Sequence, residues 1–173
     1  MNVGRIDAIE PAHFRRVMSR FATGVTVIVA TANGETRGMT ANAFMSGSLE
    51  PPLCVVSIAQ RAHMHLHLQA AKSFSVNILA AGQEDYATHF AGRPIPGFAT
   101  AFASLAGVPT LAGASAQIAA EIAANHSCGD HTVFVGRIRA MISDERPPLL
   151  FHGGRYAALL PTRAPDVPVP EFW

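Results

Sequence analysis

Between Gly38 and Ile58 the chain reads GMTANAFMSGSLEPPLCVVSI, and Thr40, Asn42, Ser46, Gly47 and Ser48 stand where a strand of this composition would carry Val or Ile. Small side chains let a planar ring lie flat against a strand, because backbone N–H and C=O groups then reach the ring's polar edge. Thr40 and Asn42 add a hydroxyl and an amide to such an edge, while Ala41 and Ala43 keep the approach open. The plainer reading of the same residues is the solvent side of a half-buried strand.

A second group follows in SIAQRAHMHLHL. The Arg61 guanidinium can grip a phosphate through two N–H groups, and a helix starting just after it would aim its N-terminus at the same anion. An exposed Arg accounts for the residue equally well. His63, His65 and His67 recur at every second position, so only the outer pair shares a helical face, and no carboxylate accompanies them; a metal site is not expected. His131 opens a strand in GDHTVFVGRI, a place where a lone His is more often structural. Neither a G-x-G-x-x-G fingerprint nor a P-loop occurs, so any nucleotide must be held another way.

The elements that would position these residues can be read from periodicity. Phe14, Val17, Met18 and Phe21 fall at i, i+3, i+4 and i+7, with Pro11 in the first turn and Gly24 as the stop, which predicts an amphipathic helix. Val25, Val27 and Val29 alternate in the next strand, and Asn33-Gly34 predicts a type I′ turn into an antiparallel return over TRGMTANAF. PPLCVVSIA and SFSVNIL read as further strands, the second with Phe74, Val76 and Ile78 on one face and Ser75 and Asn77 on the other. RAHMHLHLQAA and GQEDYATHFAG read as short helices, and RPIPGFATAFASLAGVPTLAGAS as an irregular excursion. AQIAAEIAAN, HTVFVGRIRAMI, PPLLFH and RYAALL complete the strands, while the Pro-rich tail at 161–173 cannot continue a sheet. This count predicts a closed or partly closed antiparallel β-barrel with peripheral helices.

Composition narrows the class. A chain of 173 residues is most simply one domain, and 49% hydrophobic against 14% charged residues excludes disorder and predicts a partner subunit over some apolar surface. A net charge of +1 without a basic run excludes a nucleic-acid footprint. Cys54 reads as core, and neither it nor Cys128 has metal or redox spacing. No secretory layout or membrane span is visible, so a soluble, cytoplasmic protein is expected.

FRRVMSRFATGVTVIVAT, GMTANAFMSGSLEPPLCVVSI, FSVNILAAGQEDYATHFAG, GDHTVFVGRI and PLLFHGGRY resemble, in order, the blocks of the short-chain flavin reductase family, over roughly residues 10–160. The resemblance implies a mainly β fold, an antiparallel split β-barrel of the FMN-binding type with peripheral helices, formed as a homodimer. FMN or FAD would lie at the dimer interface, and reduced flavin would pass to a separate flavin-dependent monooxygenase. Position by position, it places Thr40, Ala41, Asn42 and Ala43 along the isoalloxazine edge, with Ser46 and Asn77 in their blocks as further cofactor contacts. The flavin phosphate falls to Ser57, Gln60, Arg61, Ala62 and His63, with Ala62 standing where a Ser or Thr is common. The turn after the helix in THFAGR gives Phe90, Ala91, Gly92 and Arg93. His131 of the GDH block would sit where the nicotinamide stacks and is the catalytic candidate, followed by His152, Arg155 and Tyr156.

Hydride transfer between two bound cofactors asks the protein mainly for alignment. NADH is expected over NADPH, since no Lys/Arg cluster for a 2′-phosphate stands near these blocks. FMN and FAD are not separated by any readable signature. Two other activities compete. One is a flavoprotein oxidase of the pyridoxamine phosphate oxidase type, against which the SLEPPL and GDH blocks speak. The other is a non-enzymatic flavin or haem carrier using the histidines of HMHLHL.

Overall fold

In a computed structural model of the chain, which describes residues 9–159, the first helix α1 (Pro11–Met18) begins at Pro11, where the missing N–H costs no hydrogen bond. The helix ends at Ser19, short of the predicted stop at Gly24. Gly24 instead lies in β1 (Thr23–Gly24), held extended by pairing with Phe151 and Leu150 of β11 (Leu150–His152). No residue of α1 is buried, and Phe14, Val17, Met18 and Phe21 are all more than half exposed.

The predicted turn forms between β2 (Thr26–Ala32) and β3 (Glu35–Ala41), with Asn33 and Gly34 at φ of 52° and 77° as a type I′ turn requires. The return predicted over TRGMTANAF is, however, two strands, because the chain turns a corner at Asn42 and Ala43 and continues as β4 (Phe44–Ser48). β5 (Leu53–Ala59), β6 (Ser73–Ile78), β9 (Ala116–Cys128) and β10 (His131–Ser143) complete a seven-stranded antiparallel sheet ordered β3-β2-β6-β9-β10-β5-β4. β3 and β4 are its opposite edges, yet only Asn42 and Ala43 separate them in sequence. Chain that short spans at most about 11 Å, so the sheet curls until its edges meet. The corner is fastened by Thr26 Oγ1, which donates to the Ala41 carbonyl at 2.6 Å, and by the Ser57 N–H, which donates to the Ala43 carbonyl at 3.0 Å.

Strand alternation then sorts the core. Ile28, Val56, Ile58, Phe74, Val76 and Phe134 fill the barrel, while Val25, Val27, Val29, Leu79, Leu111 and Leu149 pack on the outer face of β2. Cys54 is core as expected, and burial pushes its thiol up to about 11. Gly136 is required by packing, since a Cβ there would sit 2.6 Å from the Phe74 ring and 2.9 Å from the Ala120 Cβ. Helix α2 (His63–Ala70) turns Met64, His65 and Leu68 inward, and α3 (Glu84–Phe90) contributes Ala87 to the outer cluster.

The stretch after α3 departs from its predicted irregularity by containing a hairpin, β7 (Phe102–Leu105) with β8 (Val108–Leu111). Its turn runs through Ala106 and Gly107 at φ of 48° and 79°, and an Ala in that left-handed conformation carries no sequence signal. β8 covers the outer face of β6, so Ser75 and Asn77 are buried rather than solvent-facing. The chain closes with β12 (Arg155–Ala157), joined to β11 by Gly153 and Gly154 at φ of 59° and 80°. The Pro-rich tail lies outside the described residues.

Candidate functional site

A cleft of about 730 Å³ runs along the edge strand β3 and gathers residues from distant stretches of sequence. β3 from Glu35 to Thr40 forms its spine; the end of α3 with the turn after it, His89 to Gly92 and Pro94, lines it on the Gly38 and Thr40 face, and the floor is Ala62, His63 and Met64 at the start of α2, on the Met39 face. Of the residues predicted for a cofactor, Thr40, Ala62, His63, Phe90, Ala91 and Gly92 meet here.

Two contacts explain the small residues of β3. Thr40 Oγ1 donates to the Ala87 carbonyl at 2.7 Å, tying α3 to the strand. Gly38 lies under the Phe90 ring, where a Cβ would stand 2.5 Å from Cε1. The side chains are therefore small so that α3 can pack directly on this face of β3. Gly92, at φ 82°, turns the chain away after α3.

The floor has an electrostatic direction. The N-cap of α2 is Ala62, which has no side-chain oxygen to cap the first-turn N–H groups, and no side-chain cap is formed. The His65 N–H donates to the Ala62 carbonyl at 2.9 Å, and Ala62, the exposed His63 and Met64 at this helix start line the cleft, a place that suits a phosphate. This meets the chemical requirement of a flavin phosphate even though Ala62 replaces the commoner hydroxyl. The other two imidazoles of HMHLHL go elsewhere. His65 is buried with Nε2 at 2.8 Å from Thr132 Oγ1, and His67 Nε2 donates to the Ala30 carbonyl at 3.1 Å. Among the described residues no cluster of three His, Cys, Asp or Glu side chains is placed to hold a metal ion.

Next to the floor, the loop after β5 meets the tip of the β9–β10 hairpin. The Gln60 N–H donates to the Asp130 carbonyl at 2.9 Å, and Gln60 Nε2 to the His131 carbonyl at 3.3 Å. His131 Nδ1 lies 2.7 Å from Asp130 Oδ1, and this hydrogen bond is the main reason the Asp130 carboxyl is held below the usual carboxylate range, with a smaller contribution from Arg61. Gln60, Arg61 and His131 thus form one polar cluster, and Asp130 is a member that sequence reasoning missed.

Other predicted residues fall outside the cleft. Asn42 lines a separate recess of about 340 Å³ with Phe21, Thr23, Thr26 and Phe44, on the barrel corner. Ala41 packs on the barrel core, Ala43 and Ser46 are exposed on the corner and on β4, and Ser57 is half-buried opposite Val133. Arg93 is exposed just beyond Gly92. His152, Arg155 and Tyr156 are exposed on the β11–β12 hairpin, which pairs with β1 and lines neither recess. Asn77 must be withdrawn as a cofactor contact: it is 0% exposed, its amide donates to the Val27 carbonyl at 2.9 Å, and its Oδ1 accepts from the Leu111 N–H at 2.8 Å. Glu35, Arg37 and His89 line the cleft without having been anticipated. The i, i+2 spacing of Glu35 and Arg37 on a strand was a legible sign that they share a face.

Comparison with known proteins bears on this arrangement. The family model for the Flavin reductase like domain matches residues 18–160. An NADH-dependent flavin reductase of Rhodococcus sp is 42% identical over 161 residues, covering 90% of this chain and 91% of the relative. The reductase component of 4-hydroxyphenylacetate 3-monooxygenase of Thermus thermophilus is 39% identical over 148 residues, 85% of this chain and 95% of that one. The solved structure of a Streptomyces globisporus NADH:FAD oxidoreductase in complex with NAD and FAD fragments superposes with a TM-score of 0.84 at 37% identity, covering 93% of this chain and 99% of the other. A curled antiparallel sheet, matched along nearly all of its described length, is thereby placed: the chain belongs to the Flavin reductase like domain family.

Proposed function

We propose that this protein is an NADH-dependent flavin reductase that reduces FMN or FAD and releases the product to a separate flavin-dependent monooxygenase. The observation that carries the reading is the cleft in which Thr40, Ala62, His63, Phe90 and Gly92 converge at the uncapped start of α2. The cofactors supply the redox chemistry, a hydride passing from reduced nicotinamide to oxidised flavin. The chain supplies placement. The first turn of α2 with His63 holds the flavin phosphate, Arg61 adds charge beside it, and the β3–β4 corner with Asn42 meets the ring edge. His131, oriented by Asp130 at 2.7 Å, is the group that aligns the nicotinamide. Two of the relatives named above act with NADH and flavin or FAD, and the third is the reductase component of a monooxygenase.

The working unit is a homodimer. Phe14, Val17, Met18 and Phe21, between 53% and 74% exposed on and just after α1, form an apolar stripe that a second copy would cover. The exposed β11–β12 hairpin with His152, Arg155 and Tyr156 would then serve a site completed across that interface. A cytoplasmic location fits this role, and among the described residues no helix is long and apolar enough to cross a membrane.

The test is NADH and NADPH oxidation by the purified protein with and without added FMN, FAD or riboflavin, run beside analytical ultracentrifugation. Turnover that depends on added flavin, in a dimer, is the expected result. Tight flavin binding without NADH turnover would overturn the reading in favour of an oxidase or a carrier.

A further inference from the structure

The outer half of the cleft is chemically unlike its floor. Its β3 wall from Thr40 back to Glu35 is about 16 Å long at ~3.3 Å per residue, so the α2 end takes a phosphate and leaves the remainder for whatever that phosphate joins. The ring of Phe90 and the imidazole of His89 line the cleft on the Gly38 face of β3, whereas Glu35 and Arg37 line it on the face shared with Met39. His89 is fixed in place, its Nδ1 accepting from the Ile95 N–H at 3.1 Å and its ring lying 4.8 Å from Phe98.

The charge at that end is already balanced. Arg37 is the only guanidinium lining the cleft among the described residues, and Glu35 occupies its fork through contacts of 2.9 Å at both Nε and Nη2. A phosphate monoester arriving there would meet a carboxylate and no free cation. Each Glu35 oxygen keeps a lone pair after engaging Arg37, so the carboxylate can still accept hydrogen bonds from hydroxyl groups. Hydrogen bonding from Arg37 holds the Glu35 carboxyl below the usual carboxylate range, which keeps it an acceptor at neutral pH.

We propose that Glu35 is a specificity-determining residue that receives the ribose hydroxyls of an adenosine 5′-phosphate group in the outer cleft, favouring a dinucleotide with an unphosphorylated ribose. The chemistry is that by which an acidic side chain selects a free ribose 2′-hydroxyl and an unpaired Arg selects its phosphate ester. The inference rests on the flavin reductase reading of the cleft. The adenosine belongs either to FAD or to NADH, and both have the same hydroxyl pattern.

Glu35→Gln keeps the side-chain shape, removes the charge and frees Arg37. Calorimetric titration with 5′-AMP and 2′-deoxy-5′-AMP reads the contact without turnover. The wild type should prefer 5′-AMP by about fivefold to tenfold, and the variant should lose that preference, the size expected for one hydrogen bond of typical net strength. If the adenosine is that of FAD, the variant weakens FAD by a similar factor in a flavin-fluorescence titration and leaves FMN unchanged. If it is that of NADH, the NADPH-to-NADH ratio of kcat/KM measured with FMN rises about tenfold and FAD affinity holds. Equal 5′-AMP and 2′-deoxy-5′-AMP affinities in the wild type would overturn the assignment, as would a variant identical to wild type in every arm. Absence of flavin-dependent NADH oxidation in the wild type would instead remove the reductase reading, and the nucleotide titrations would still decide the Glu35 contact.

Discussion

Replacing Asn77 with Ala separates a structural amide from a cofactor contact. Asn77 is 0% exposed and joins three elements: Nδ2 donates to Val27 of β2 at 2.9 Å and to Ser75 Oγ at 3.0 Å, and Oδ1 accepts from Leu111 of β8 at 2.8 Å. In the variant the Leu111 N–H is left buried without its acceptor, which costs about 1–3 kcal/mol. Losing the bond to Val27 adds about 1 kcal/mol. Ser75 loses little, because its hydroxyl already donates to the Pro109 carbonyl at 2.6 Å. The sum is about 3 kcal/mol, or a fall in Tm of about 6–12 °C for a chain of this length. Thermal unfolding by circular dichroism at matched protein concentration reads this, and a flavin-fluorescence titration below the transition should give the wild-type Kd. A Tm within about 2 °C of wild type together with weakened flavin binding would refute the reasoning and return Asn77 to the site.

Gly38→Ala should push the Phe90 ring off β3, since the new Cβ would lie 2.5 Å from Cε1; overpacking of this kind costs about 1–3 kcal/mol, and flavin affinity measured by fluorescence should fall with it. His131→Ala should slow NADH-dependent flavin reduction in stopped flow more than it weakens flavin binding, and an unchanged rate would leave the pair with Asp130 a structural role. Glu35, Glu121 and Asp144 have carboxyls held low, in each case first by a hydrogen bond from Arg37, Arg139 and Arg146 respectively. A depressed carboxyl stabilises the fold above its unfolded value, so Tm should be level from about pH 5 to 8 and fall as pH drops through about 4. Because these pairs are solvent-exposed, that decline should shrink in about 1 M NaCl.

Local chemistry wrote much of this protein into its sequence. Asn33-Gly34 announced its turn because few residues adopt positive φ cheaply, and the apolar spacing of α1 and the alternation of β2 followed from helical and strand periods. The ordered blocks around Thr40, Arg61, Phe90 and His131 identified the family before any contact was known. What sequence could not decide was set by contacts between distant segments. The β7–β8 hairpin hides Ser75 and Asn77, which alternation places on the face opposite Phe74 and Val76 without saying what covers it. The corner at Asn42 and Ala43 splits one apparent strand into the two edges of a curled sheet and sends Asn42 to a different recess from Thr40. Gly38 is small because a ring from α3 rests on it, while Glu35 and Arg37 line the cleft from the other face of the same strand, the face they share with Met39. A sequence specifies the local periods and turns directly. Which faces are covered, and which polar groups are left to meet a ligand, depends on burial and closure summed over the whole tertiary structure.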